Sequence, residues 1–217
     1  MMSAPSHLII APILIPLLAG ALLLFFEDRE RRLKDAVSIL TSAALVVVAA
    51  VLLFRTGADG GRIFVYLLGN WPSPIAINLV LDRLSAMMLL LTAVLALPAL
   101  VFSIARWQRA GAHFHSLFLF LLVGLNGAFL TGDLFNLFVF FEVLLAASYG
   151  LMLHGSGQLR VRAGMHYIVI NLAASLLFLI GVAMIYSVTG TLNMAHLAIV
   201  LQGLEGESRF MAEAGAT

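Results

Sequence analysis

The sequence predicts an all-α, polytopic transmembrane helix bundle, and three observations predict it. Of its 217 residues, 62% are hydrophobic and 11% charged, against roughly 45–50% and about 25% in soluble domains. Mean hydropathy is +1.07. Six segments are long and apolar enough to cross a bilayer, each approaching or passing the run of about 20 residues that a hydrocarbon core roughly 30 Å thick requires. The short alternating strands of a membrane barrel are absent from these runs, so helices are the expected spanning form. A soluble globular domain and a disordered chain are excluded. Lys and Arg total 12 against 11 Asp and Glu, which leaves no basic field to hold a nucleic acid. The absence of cysteine removes disulfides, thiolate chemistry and iron–sulfur or zinc–cysteine sites.

The six expected spans are Leu8–Phe26, Ala36–Phe54, Leu84–Ala105, Ser116–Leu130 with its flanks, Leu134–Leu153 and Gly164–Val188. The first is not expected to be a cleaved signal, because no basic residue precedes it and its apolar run is too long. Pro12 and Pro16 sit early in it, and Pro98 is expected to kink the third span. Between spans two and three, Gly57, Asp59, Gly60 and Gly61 suggest a turn. Ile63–Leu68 and the alternating Ile75–Leu81 then flank Asn70-Trp71-Pro72-Ser73-Pro74, which predicts a β-hairpin. Asp82 or Ser85 is placed to cap span three. After span six, Thr189–Asn193 reads as a turn, Met194–Leu201 as a short helix lying on the surface, and Gly203–Thr217 as a polar tail. Residues 1–115 hold spans one to three with the hairpin, and 116–217 the remaining spans, short helix and tail.

Loop charges give an orientation. Arg29, Arg31, Arg32, Lys34, Arg106, Arg109, Arg160 and Arg162 fall on one side, and Arg55, Arg62, Arg83 and Arg209 on the other. The richer side is expected to be cytoplasmic, which places the N-terminus and the hairpin outside.

Glu142 stands apart. It lies eight residues into span five, about 12 Å along a helix rising 1.5 Å per residue, near the bilayer midplane. An ionised carboxylate facing lipid there costs about 2.5 kcal/mol or more. Glu142 must therefore face protein or water, pair with a cation, or stay protonated, and each makes it a candidate proton-binding group. A neutral glutamate tying helices together is the plainer alternative. On its own helix the polar residue at helical spacing is Tyr149, two turns away. No Lys or Arg lies deep in a span, so a pairing cation is not expected within this chain.

Other candidates are weaker. His166, near the start of span six, could exchange protons with water or simply rest one ring nitrogen on a backbone carbonyl. Asp133, after Thr131-Gly132, reads as the N-cap of span five, with an outer proton exit as the functional alternative. His113 and His115 are two residues apart and are expected to point apart on a helix, giving no metal site. His154 ends span five, and His7 and His196 are expected at the outer surface. Arg160 and Arg162 read as interface anchors. Asn126, Asn136, Asn171, Ser148 and Ser175 are expected to be interhelical glue or to hold water. No nucleotide loop, catalytic triad or haem-ligand pair is visible, so no cofactor, no metal and no enzyme active site are expected.

The run Gly132-Asp-Leu-Phe-Asn-Leu-Phe-Val-Phe-Phe-Glu142-Val-Leu-Leu-Ala-Ala-Ser-Tyr-Gly-Leu-Met152 closely resembles the fifth helix of the D subunit of Mrp (Pha)-type multisubunit cation/proton antiporters. Tyr186-Ser-Val-Thr-Gly-Thr-Leu-Asn193 is similar to the motif after helix six of the same protein. Asn70-Trp71-Pro72 and Leu79-Val-Leu-Asp82-Arg-Leu-Ser85 fit as well. The resemblance covers essentially the whole chain and extends, more distantly, to the antiporter-like subunits of respiratory complex I. It implies a larger bundle of about fourteen helices containing two inverted repeats. It implies that Glu142 pairs with a lysine on a broken helix seven, so that the two gate proton transfer. The chain stops where helix seven would begin, which reads as an N-terminal fragment. The family often places a lysine before the tyrosine that opens helix six; here His166 precedes Tyr167.

The resulting expectation is a proton-translocating subunit of a Na⁺ or K⁺/proton antiporter. It would sit in a bacterial cell (inner) membrane among the other subunits and lipid, with His166, Asp133 and Tyr149 as possible path residues. The alternatives are a membrane-arm subunit of an NADH:quinone oxidoreductase-like complex and a non-transporting structural or assembly piece.

Overall fold

A computed structural model describes residues 6–26, 30–58, 62–71, 77–106, 113–155, 157–203 and 206–216. A 3₁₀ turn at Ser6–Ile10 leads into α1 (Ala11–Leu24), followed by α2 (Arg31–Ala58), β1 (Phe64–Leu67), a 3₁₀ turn at Leu68–Asn70, and β2 (Asn78–Leu81). Then come α3 (Arg83–Arg106), α4 (Phe114–Leu130), α5 (Leu134–Met152), α6 (Gln158–Thr189), α7 (Met194–Gln202) and α8 (Gly206–Ala216). Five segments, His7–Leu24, Arg31–Ala58, Arg83–Ala105, Leu134–Met152 and Gln158–Thr189, are long and apolar enough to span a membrane. The fourth expected span, α4, has 17 residues, about 25 Å of helix.

That shorter helix is the hub. α4 packs on α1, α5, α3 and α2, and ten of its residues are buried. A helix shielded by its neighbours need not match the bilayer as an exposed one must. Leu119 and Leu122 join Leu23 of α1, Leu45 of α2 and Ala93 of α3 in one apolar cluster. Val123 and Leu130 join Ile13, Leu52, Leu89 and the hairpin's Leu79 and Leu81 in another. On its other side α4 approaches α5 through glycines. A Cβ on Gly124 would lie 2.7 Å from the backbone nitrogen of Leu144, and one on Gly127 would meet the Phe140 ring. Small residues let helices touch where lipid supplies no hydrophobic force between them.

Some polar groups inside the bundle are paired across helices or within them. Pro16 has no N–H, so the carbonyl of Pro12, four residues back, lacks its helical donor. The Asn126 amide of α4 donates to that carbonyl at 2.8 Å, so this expected glue residue does join two helices. Asn171 and Ser148 instead bond carbonyls of their own helices, Tyr167 and Leu145.

The hairpin forms as expected, with shorter strands. β1 and β2 pair antiparallel, Phe64 opposite Leu81 and Leu67 opposite Asn78. Leu68 N still donates to the Ile77 carbonyl at 3.1 Å as the chain enters the 3₁₀ turn, where Gly69 adopts φ +68°, a conformation that glycine takes without strain. The Asp82 side chain accepts from Ser85 N at 2.6 Å, the cap foreseen for α3. The turns between α4 and α5 and between α6 and α7 dock at the hairpin end. Leu79 bridges Thr131, Asp133 bridges Asn193, and Met194 N donates to the Gly132 carbonyl at 2.9 Å.

Several expectations are corrected. Gly57 is not in a turn: α2 continues to Ala58, and the rest of that expected turn, 59–61, lies outside the described residues, as do Arg29, Arg109 and the hairpin tip 72–76. The first span begins as a 3₁₀ turn, since Pro12 at its entry donates no N–H and no side chain caps it. The expected polar tail is helical over Gly206–Ala216. It packs on α6, where a Cβ on Gly181 would lie 2.5 Å from the Gly215 carbonyl oxygen, so two glycines let the helices approach closely there.

Substituting Gly124→Ala should cost about 1–3 kcal/mol, because the added methyl meets backbone that cannot rotate away. Thermal melting of the detergent-purified protein checks this; an unchanged midpoint would contradict the close α4–α5 approach.

Candidate functional site

Glu142 sits midway along α5, on the seam with α6. With Phe138 it borders a groove of about 400 Å³ whose opposite wall is α6, from Val169 to Leu179. The wall is apolar apart from Ser175. A second cavity of about 270 Å³ shares Phe138 and Ser175 and adds Asn171 and Phe141. Glu142 is half-buried, and its Oε1 is buried without a hydrogen-bond partner. A carboxylate oxygen in that position is costly unless it binds a proton, meets water or faces a cation. The one lysine of the chain, Lys34, stands in the first turn of α2, far along the sequence from this seam.

The other candidates divide. Tyr149, two turns along α5, meets Tyr167 of α6 edge-on at 5.6 Å. His166, next to Tyr167, is exposed, and its Nδ1 lies 2.9 Å from the Arg162 carbonyl, the carbonyl contact foreseen as its plainer role. The α5–α6 seam thus holds Glu142, Tyr149 and Tyr167, with His166 at its outer edge. Asp133 is elsewhere, at the hairpin end. Its carboxylate accepts from Asn136 N at 2.9 Å, so it does cap α5. The expectation that His113 and His115 point apart on one helix needs revision. His113 precedes α4 with φ +64°, and His115 is buried among polar groups of α2. The sequence reading missed that cluster because its members are 77 residues apart. Among the described residues, no group of three His, Asp or Glu gathers as a metal site.

Residues 131–216 match the sequence profile of the family described as NADH:quinone oxidoreductase/Mrp antiporter, transmembrane. A probable K(+)/H(+) antiporter D subunit from Rhizobium meliloti is 58% identical over 97% of this chain and 40% of its own length. The Na(+)/H(+) antiporter D subunit of Alkalihalophilus pseudofirmus is 43% identical over 92% of this chain and 40% of its own length. The chain is similar to antiporter D subunits along almost its whole length. It spans about two fifths of the curated relatives it matches. Among solved structures, a chain of an archaeal membrane-bound sulfane sulfur reductase superposes with a TM-score of 0.84 at 29% identity, over 98% of this chain and 43% of that one. A chain of the Mrp complex from Dietzia sp. gives 0.78 at 35% identity, over 98% and 41%. The resemblance drawn from the helix-five and helix-six motifs is thereby borne out, and so is the helical membrane fold. The chain is a multi-pass membrane protein.

Asp133→Ala should destabilise the protein by about 0.5–2 kcal/mol through loss of the cap, while Asp133→Asn should cost far less, since asparagine caps nearly as well. Melting of the two variants side by side checks this. An Asn variant as unstable as the Ala variant would show that the charge, not the cap, is what α5 needs.

Proposed function

We propose that this chain is the proton-handling part of a multisubunit Na⁺ or K⁺/proton antiporter of a bacterial cell membrane, and that Glu142 is its proton-binding residue. The observation that carries the proposal is the buried, unpartnered Oε1 of Glu142, midway along a spanning helix and bordering a groove wide enough for water. The names of the similar antiporter proteins support the reaction class, and the two names differ in the cation, so either Na⁺ or K⁺ fits. In the complete protein a lysine from a later helix would face Glu142. With the pair together the lysine holds its charge. When the pair separates, the lysine loses that stabilisation and passes its proton on. Tyr149, Tyr167 and His166 would lead from the seam toward the end opposite the hairpin, taken here as cytoplasmic. The remaining subunits would carry the cation and couple its export to proton entry. The role is transport, with no covalent chemistry assigned to this chain.

A second reading is supported by one observation: the matching family profile covers quinone oxidoreductases as well as antiporters. In that reading the same carboxylate serves a respiratory membrane arm.

Glu142→Ala in the full-length protein should lower cation/proton antiport in everted vesicles by roughly a hundredfold, the scale on which a lost proton-transfer group acts. Assembly of the complex should be unchanged. Intact antiport would sink the role given to Glu142. A deletion strain that loses NADH oxidation but keeps its salt and alkali tolerance would favour the respiratory reading.

A further inference from the structure

We propose that His115, held between Asp35 and Ser38, is a second proton-binding site, which switches the contact between α2 and α4 at the end of the bundle opposite the hairpin. The inference goes beyond the role given to Glu142 and does not depend on it.

The site is built and enclosed. His115 is 5% exposed and Ser38 fully buried. His115 Nδ1 lies 2.8 Å from Ser38 Oγ, and its Nε2 lies 3.1 Å from Asp35 Oδ1. Ser38 Oγ also lies 2.8 Å from the Lys34 carbonyl and 3.1 Å from the Asp35 carbonyl. Other charged and titratable groups surround it. Lys34 of α2 is 5% exposed, and His154, past the end of α5, is 8% exposed. The ring of Phe114 stands 5.4 Å from both His115 and His154. The Arg160 guanidinium of α6 donates to the His154 carbonyl. The Asp35 side chain is 23% exposed, which gives protons a way in from the surface.

Counting donors and acceptors shows why one proton matters. A serine hydroxyl has one hydrogen to give, while a carboxylate and a carbonyl only accept. With both ring nitrogens protonated, Nδ1–H donates to Ser38 Oγ and Nε2–H donates to Asp35. The Ser38 hydroxyl then donates to the Lys34 carbonyl, and both ring N–H groups face an oxygen. Removing the Nε2 proton would aim a lone pair at a carboxylate. Removing the Nδ1 proton is the workable route. The proton leaves to solvent, and the Ser38 hydroxyl must turn to donate to Nδ1. The Lys34 carbonyl loses that bond, and the Asp35 contact changes from an ion pair to a neutral–charged hydrogen bond, which is weaker. One proton therefore resets the tie between the first turns of α2 and α4. Because α4 also packs against α5 through Gly124 and Gly127, the switch adjoins the helix that bears Glu142.

The test is hydrogen–deuterium exchange on the full-length protein in its purified complex, between about pH 5.5 and pH 8, where an imidazole changes charge. After correction for intrinsic exchange, protection of 31–42 and 113–120 should change about tenfold across the step, the change that corresponds to one pKa unit of coupling. His115→Gln should abolish the step. Asp35→Asn, which removes the negative partner of the charged ring, should move it to lower pH. If His115→Gln does not assemble, Asp35→Asn alone decides. A wild-type profile without a step, or a step unmoved by either variant, overturns the proposal. A complex carrying Glu142→Gln should keep the step, so failure of the Glu142 reading and failure of this one are told apart.

Discussion

A polar group inside a hydrocarbon layer must find a partner within the protein, and that constraint orders most of what is seen here. It selects helices for the spans, because each then satisfies its own backbone. It explains why Pro16, which breaks one such bond, is matched by Asn126 reaching the freed Pro12 carbonyl from a neighbouring helix. The same constraint tucks the turns of the hairpin end together: Gly132 both donates to the Asn78 carbonyl and accepts from Met194 N. Several buried side-chain atoms have no hydrogen-bond partner, Ser42 Oγ and Asn78 Oδ1 among them, and of these the Oε1 of Glu142 belongs to a carboxyl group midway along a spanning helix. It lies where an exception is expensive, which is the physical reason to look for function there.

Much of the fold was legible because its signal is local. Five spans show as long apolar runs, and α4 shows as a shorter one. Asp82 and Asp133 stand immediately before apolar helices and do cap them, as short polar residues at such positions favour. The hairpin was readable from alternation around a Pro- and Asn-rich turn. What escaped was non-local or lacked an apolar pattern. α8 looked like a polar tail; it meets α6 through a close approach of Gly181 and Gly215. Gly57 looked like the start of a turn, yet α2 carries one more turn of helix past its apolar segment.

The candidate site was legible in one residue and not in its setting. Glu142 is visible in sequence because a lone acid in an apolar run is rare. The groove it borders depends on which face of α6 packs against α5, and α6 is apolar nearly all round, so its sequence does not show that face. His115 is the reverse case. Its neighbours in sequence made it look like an interfacial residue, and its significance comes from Asp35 and Ser38 on another helix. Spacing along one helix could not reveal a triad assembled across two.

The two sites also differ in how they meet the cost of burial. At Glu142 the cost is left unmet in this chain, which suits a group whose partner arrives and departs during a transport cycle. At His115 both protonation states can be hydrogen-bonded, through Asp35 in either state and through a hydroxyl that donates or accepts. A group whose two protonation states differ by one hydrogen bond and one charge pair shifts its surroundings by a limited amount, as a sensor requires. α4 stands between them: its first turn carries His115, and its glycine face holds α5 at close range. A helix packed on four neighbours transmits a shift at one end better than a loosely held one, because close-packed interiors have little slack to absorb it. The hub of the bundle is thus also the element that lies between the two proposed proton-binding residues.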